Sequence, residues 1–346
     1  MSTKLLSGLT LQSKLGAGNF GEVYEGQDPV LGKVAVKVLR KEVQETEEKW
    51  RSRKNGLLQE GRFLREAEHE NVVRIFQVLE SCEEDAVHMV MEHCENGSLQ
   101  GRFEENPIGF TELRSILTDA ALGLQALHCR GMLHRDIKPS NLLISGNKRV
   151  KLADFGLVTN DVLFGYASLA GYTDHLAKEV LEEGITSIKS DVWAFGMTAY
   201  RLLHGATFYS ELPPPRTLIQ SGGFATRLPW LPHISDKWRR FVRQSMHDDP
   251  CCRIQNAVKI LQCLERLPIE PDWKCDYSEQ QAKWSRVQKN RKIEVTWLKN
   301  SLRKHEWEAY SMPVDEGKRR RLGGSNGWIG KVEANRQLNH FFQQYL

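Results

Sequence analysis

The stretch "HRDIKPSN", residues 134–141, decides the reading of this chain. It sets a carboxylate at Asp136, an ammonium at Lys138 and an amide at Asn141 in one short loop. Phosphoryl transfer to a hydroxyl asks for these three groups. A carboxylate orients the hydroxyl and accepts its proton, an amide holds a magnesium ion, and a cation neutralises charge on the transferring group. A second carboxylate follows at Asp154, in "DFG" (154–156), after a short strand pair expected at 142–144 and 150–152. Magnesium is content with few protein ligands because phosphate oxygens and water complete its shell, so Asn141 and Asp154 suffice.

Upstream, "GAGNFGEV" (16–23) is a G-x-G-x-x-G-x-V loop between two β-rich runs. Its glycines permit close backbone approach to phosphates. The same pattern opens dinucleotide folds, but there it enters a helix, whereas here it returns as a strand. "VAVK" (34–37) follows on the next strand, with Lys37 16 residues after Gly21. Lys37 is placed to contact phosphates as a point charge, and Glu60, on the polar stretch 41–68 that reads as helix, can hold it in place. A strand lysine or a helix glutamate taken alone is more often solvated surface.

The first hundred residues read as strands with one helix. Beyond them the period changes. Leu113, Leu117, Ala120, Leu124 and Leu127 recur at helical spacing over 110–130, and Gly131 stops the run. "KSDVWAFGMTAYRLLHG" reads as a helix ended by Gly205. "SDKWRRFVRQSMHDDP" carries a Ser cap and a Pro stop, and "IQNAVKILQCLERLP" closes the region. A β-rich lobe followed by a helical lobe implies a cleft between them.

These motifs in this order make the chain closely resemble the eukaryotic-like serine/threonine protein kinases, over about residues 9–267. The resemblance implies an α+β, two-lobed protein kinase fold. Its kinase domain spans 1–267, with a β-rich N-lobe at about 9–94 and a helical C-lobe at about 95–267, and a basic, Trp-rich helical extension spans 268–346. It implies ATP and Mg2+ as cofactors and proteins as substrates. Leu15, Gly16, Gly18 and Gly21 match the glycine loop, Lys37 the nucleotide-holding lysine and Glu60 its partner. Met91 takes the gatekeeper position, with Glu92 to Cys94 presenting backbone to adenine. Val23, Ala35 and Leu143 match residues that sandwich the ring. Asp191 matches the brace of the catalytic loop, and Arg253 the partner of the glutamate that ends the activation segment, here Glu179.

Residues 154–179 form that segment, and it departs from the family twice. Residues 177–179 read AKE where the family has A-P-E, and Gly171-Tyr172 stands where it has G-T, with Thr173 able to substitute one residue on. Lys138 argues for serine/threonine acceptors; a tyrosine-directed or dual-specificity enzyme is the alternative. Arg135 before Asp136 suggests a basic pocket for a phosphorylated loop residue. Thr159, Tyr166 and Ser168 are candidates, with Ser168 favoured by position. Intact Lys37, Asp136, Asn141 and Asp154 argue against a pseudokinase scaffold. The activation segment with Glu179 and Arg253 argues against a small-molecule phosphotransferase.

The net charge of +4 is unevenly spread. From residue 268 onward there are 15 Lys/Arg against 10 Asp/Glu, a net of +5, while the preceding 267 residues carry 33 against 34. The extension also holds five of the nine tryptophans, which argues against disorder. Trp284, Val287, Val295, Leu298 and Leu302 are compatible with one helical face. Such a helix either packs on the lobes and stabilises them or docks a partner. "KRRR" (318–321) reads as a loop, and such a run is more often solvated surface than a nucleic-acid contact. Seven scattered cysteines without a C-x-x-C pair, and no long apolar run, point to reduced thiols, no membrane span and a cytoplasmic protein.

Overall fold

Five alternating runs near the start of the chain become strands: β1 (Thr10–Gly18), β2 (Gly21–Asp28), β3 (Gly32–Arg40), β4 (Ile75–Glu80) and β5 (Ala86–Glu92). The structure, a computed structural model, describes residues 8–18, 21–81, 85–154, 175–213, 215–301, 303–315 and 317–345. The strands form one antiparallel sheet in the order β1-β2-β3-β5-β4. Successive side chains of a strand face opposite sides, and β3 is buried on both. Val34, Val36 and Val38 join Leu9, Ala86 and Val90 on one face. Leu39 and Val87 meet Trp50, with Leu57 and Leu58, on the other. Trp50, Leu57 and Leu58 belong to helix α1 (Glu47–Leu64), which lies inside the stretch expected to be helical. Lys37 therefore stands on the α1 side of the sheet, two residues from Leu39.

The chain packs as two compact units. The first comprises the described parts of Met1–Ser98, Leu122–Asp136 and Asn141–Tyr172; the second comprises Leu99–Ala121, Ile137–Ser140 and the described parts of Thr173–Leu346. In the first unit, β6 (Leu142–Ile144) and β7 (Val150–Leu152) pair as the sequence predicts. Asn71 anchors them: its side-chain amide donates to Val150 O at 2.9 Å, and its carbonyl accepts from Leu152 N at 2.9 Å.

The second unit contains helices α2 (Leu99–Glu105), α4 (Lys178–Glu183), α5 (Ile188–Ser210), α6 (Pro215–Gln220), α7 (Phe224–Arg227), α8 (Asp236–Ser245) and α9 (Ala257–Glu265). Helix α3 (Phe110–His128) has Leu113, Leu117, Ala120, Leu124 and Leu127 fully buried, as their spacing predicts, and it ends just before Gly131. A reciprocal capping box between Ser187 and Ser190 starts α5. The expected stop at Gly205 is a break rather than an end. Gly205 leaves the helix at φ 73°, ψ 165°, and the helix resumes to bury Phe208.

The extension differs from the helical reading. It is a five-stranded antiparallel meander of β8 (Lys274–Tyr277), β9 (Gln281–Gln288), β10 (Arg291–Ser301), β11 (Lys304–Pro313) and β12 (Arg320–Gly324), followed by one helix, α10 (Lys331–Gln343). The period of burial is two, not 3.6. Ile293, Val295 and Trp297 point inward with Trp284, while Val287 is 66% exposed and Leu298 39%. Leu302 lies outside the described residues. The β9–β10 turn is Lys289-Asn290, with Lys289 at φ 55°, a weaker hairpin signal than Asn-Gly. Of the "KRRR" run, Arg320 and Arg321 open strand β12.

This sheet and helix share a core with the helical part of their unit. Phe342 of α10 meets Trp273, Trp284 and His233 at ring distances of 5.1, 5.2 and 6.0 Å. Trp284 Nε1 donates to His233 Nδ1 at 2.9 Å, and Trp238 Nε1 to Pro268 O at 2.9 Å. The Asp272 carboxylate accepts from Phe110 N at 2.6 Å and Thr111 N at 3.2 Å, so a residue of the extension caps α3.

Candidate active site

Lys37, on the buried strand β3, is only 2% exposed. A buried ammonium needs a counter-charge, and its Nζ donates to Asp154 Oδ1 at 2.8 Å, across 117 residues of chain. Asp154 follows β7 closely, is in the left-handed region at φ 57°, and keeps its side chain 34% exposed. Glu60 lies in α1; its side chain is outside the described residues, so the expected Lys37–Glu60 pair is too.

Asp136 and Asn141 are both buried. The Asn141 amide nitrogen donates to Asp136 O and to Asp136 Oδ2, both at 2.8 Å. Its Oδ1 is thereby the end turned away from Asp136. His134, to which the sequence assigns no role, is fully buried and accepts from Asp136 N through Nδ1 at 3.3 Å. Arg135 between them adopts φ 68°, a left-handed conformation that costs a non-glycine residue about 1–3 kcal/mol. Ala153 N donates to Asn141 O at 2.9 Å, which ties the residue before Asp154 to the 134–141 loop. Asn71, also missed, supports this arrangement by holding β7. Its only signal in the sequence is a short polar residue entering a run of valines.

Lys138 is half-buried and falls in the second unit, where Thr198 Oγ1 of α5 donates to the neighbouring Ile137 O at 3.1 Å.

The residues expected to hold a nucleotide lie as follows. Gly16 and Gly18 end β1 and Gly21 opens β2, with Gly18 opposite Gly21 and residues 19–20 outside the described residues. Gly21 has φ 128°, and a Cβ there would sit 2.4 Å from Val38 O, so only glycine fits. Leu15 is exposed and Val23 half-buried, opposite Lys37 in register. Ala35 faces Met91 across β3–β5, both buried. Glu92 is gripped by Lys151 Nζ at 2.8 Å. Burial, helped by Glu92, pushes the Cys94 thiol up to about 12, so this side chain stays a neutral thiol. Leu143 bridges to Ser98, which brings β6 beside the segment that follows Cys94.

A profile described as "Protein kinase domain" matches residues 9–265. The chain belongs to the protein kinase domain family. It is 32% identical over 265 residues to "Hormonally up-regulated neu tumor-associated kinase homolog A" of Xenopus laevis, which covers 74% of this chain and 38% of that protein. It is 32% identical over 257 residues to "Cell division control protein 7" of Schizosaccharomyces pombe, which covers 72% and 23%. For "Cytokinesis protein sepH" of Aspergillus niger the figures are 32% over 255 residues, 71% and 18%. The chain thus spans well under half the length of these curated relatives.

Protein kinases use ATP and a divalent metal, and the donor set here fits a hard cation: a partly exposed carboxylate at Asp154 and an amide oxygen at Asn141. Among the described residues no cluster of three or more His, Cys, Asp and Glu gathers as metal ligands, so phosphate oxygens and water would complete such a shell. In the second unit, Arg253 Nη1 and Nη2 reach Glu179 Oε1 and Oε2 at 2.6 and 3.1 Å, the pairing expected at the end of the activation segment. Asp191 is buried in the first turn of α5. Thr159, Tyr166, Ser168, Gly171, Tyr172 and Thr173 lie outside the described residues.

Proposed function

We propose that this chain transfers the γ-phosphate of ATP to serine and threonine hydroxyls of proteins. The observation that carries the reading is the double grip on two carboxylates of one compact unit: Lys37 on Asp154, and Asn141 on Asp136. Asp136 orients the acceptor hydroxyl and takes its proton as the oxygen attacks the γ-phosphorus. The bond to the bridging oxygen breaks and its electron pair leaves with ADP. Lys37 draws its ammonium from Asp154 to the nucleotide phosphates, with Glu60 proposed as its partner. Lys138 neutralises charge on the transferring group. Asn141 and Asp154 would hold a magnesium ion, which would supply charge neutralisation for the phosphate oxygens. The glycine loop from Leu15 to Val23, with Ala35, Met91, Glu92, Cys94 and Leu143, holds the nucleotide.

Lys138 supports a serine/threonine acceptor. Phosphoamino-acid analysis of the phosphorylated chain and of a generic protein substrate tests this. Phosphoserine and phosphothreonine are expected. Phosphotyrosine alone would overturn the acceptor assignment and leave the transfer intact. Ser168 is the proposed autophosphorylation site, and Ser168→Ala should remove a phosphate from the intact mass and lower activity.

The kinase domain is assigned to 1–267 and the extension to 268–346. The shared core of Phe342, Trp284 and His233 supports a stabilising role for the extension rather than a detached docking module. Six free cysteines among the described residues support a cytosolic setting. No helix among them is long and apolar enough to cross a membrane.

A further inference from the structure

A cavity of about 120 Å³ opens between the end of α5 and the extension, lined in part by Glu211, Trp230, Tyr277, Trp297, Lys299 and Lys331. Three nitrogen donors on residues that line it, Lys299 Nζ, Trp230 Nε1 and Trp297 Nε1, are buried and have no hydrogen-bond acceptor among the described residues. Folded proteins seldom leave such donors unsatisfied, and three on residues lining one cavity ask for an occupant that accepts hydrogen bonds.

The Lys299 side chain is 9% exposed. Its ammonium lies 3.7 Å from the centre of the Tyr277 ring and 3.6 Å from Glu211 Oε1, beyond hydrogen-bond reach. That same oxygen is already taken by Tyr277 OH at 2.7 Å. Burial holds the Lys299 ammonium below the usual lysine range, against the pull of Glu211. Two lysines against one glutamate leave the lining one positive charge in excess. Four of the ten lining residues, Phe208, Trp230, Tyr277 and Trp297, are aromatic. A cavity of roughly 150 Å³ admits a benzene-sized guest, so this one suits a smaller body.

We propose that this cavity binds a short-chain monoanionic carboxylate, its oxygens on Lys299 Nζ and the two indole N–H groups and its few carbons against the tryptophan and tyrosine rings. The inference is independent of the phosphotransfer reading.

Titration of the full chain with sodium propionate against sodium chloride at equal ionic strength tests it. Indole fluorescence and melting temperature are both read. A saturable change in both is expected. Lys299→Met, near in shape and relieved of a poorly paired charge, should weaken binding about tenfold or more, the loss of one charge-assisted hydrogen bond. Trp297→Phe should weaken it less while retaining the fold. Any of four results overturns the proposal: no saturable response in the wild type; an unchanged response in both variants; binding of inorganic phosphate in place of propionate; or a propionate-soaked crystal with only water on the three donors.

Discussion

Replacing Arg253 by methionine should be among the most damaging single changes outside the 134–141 loop. Its side chain is 0% exposed, and all its N–H directions are used. Two bonds go to Glu179, and others to the carbonyls of Lys189, His247 and Asp248 at 2.8, 2.8 and 3.3 Å. Removing it strands a largely buried carboxylate, a loss of about 3–5 kcal/mol for a broken buried pair. For a unit of this size that corresponds to a fall of about 6–20 °C in melting temperature. Glu179→Met strands the guanidinium and should cost a similar amount. The double variant should fall well short of the sum of the two, because neither charge is then left without its partner. It remains destabilised by about 1–3 kcal/mol, since the three carbonyls still lack their donor. Urea or thermal unfolding of the four proteins completes the double-mutant cycle. Single losses below about 1 kcal/mol, the range of exposed pairs, would refute the reasoning. So would additivity within about 0.5 kcal/mol.

Three further outcomes follow from the packing. His204 and His233 are buried and held down to about 3 by burial, chiefly, with Arg239 nearby. Each has a ring nitrogen that accepts an N–H, His233 from Trp284 Nε1 and His204 from Leu231 N, which protonation would forbid. Their folded values lie below the unfolded one near 6.5, so the unfolded chain binds the extra protons as pH falls, and stability drops on acidification from about 6.5 towards 3. By pH 5.5 the loss is about 1.4 kcal/mol for each histidine, read as a lower urea midpoint than at pH 7.5; an unchanged midpoint would contradict it. Asp272→Ala removes the carboxylate at the start of α3 and should cost about 0.5–2 kcal/mol in the same assay, without altering the Trp284–His233 contact. Gly123→Ala would set a Cβ 2.3 Å from Asn71 O, and overpacking of this kind costs about 1–3 kcal/mol, seen as a lower melting temperature.

What could be read from the sequence follows a physical divide. The helical period of Leu113, Leu117, Ala120, Leu124 and Leu127 and the limits of β6 and β7 were legible because local pattern and tertiary burial agree there. The motifs that mark the family were legible because they set particular side chains at short spacing. The extension was misread because Trp284, Val287, Val295 and Leu298 mimic a helical stripe, although two of them face solvent on adjacent strands. A Lys-Asn turn gives little warning of a hairpin. The roles of Asp272 and Asn71 were illegible for another reason: each acts on a partner distant in sequence, 162 residues away for Phe110 and 79 for Val150. The continuation of α5 past Gly205 depends on the burial of Phe208, which no local signal announces.

Asp136, gripped by Asn141, is proposed as the base for transfer from ATP to a protein hydroxyl. Radiolabelled phosphate incorporation from γ-labelled ATP, with wild type beside Asp136→Asn, tests it most directly. A rate about 10²–10⁴-fold lower is expected for the variant at unchanged melting temperature. Equal incorporation by both proteins, or none by the wild type, would contradict it.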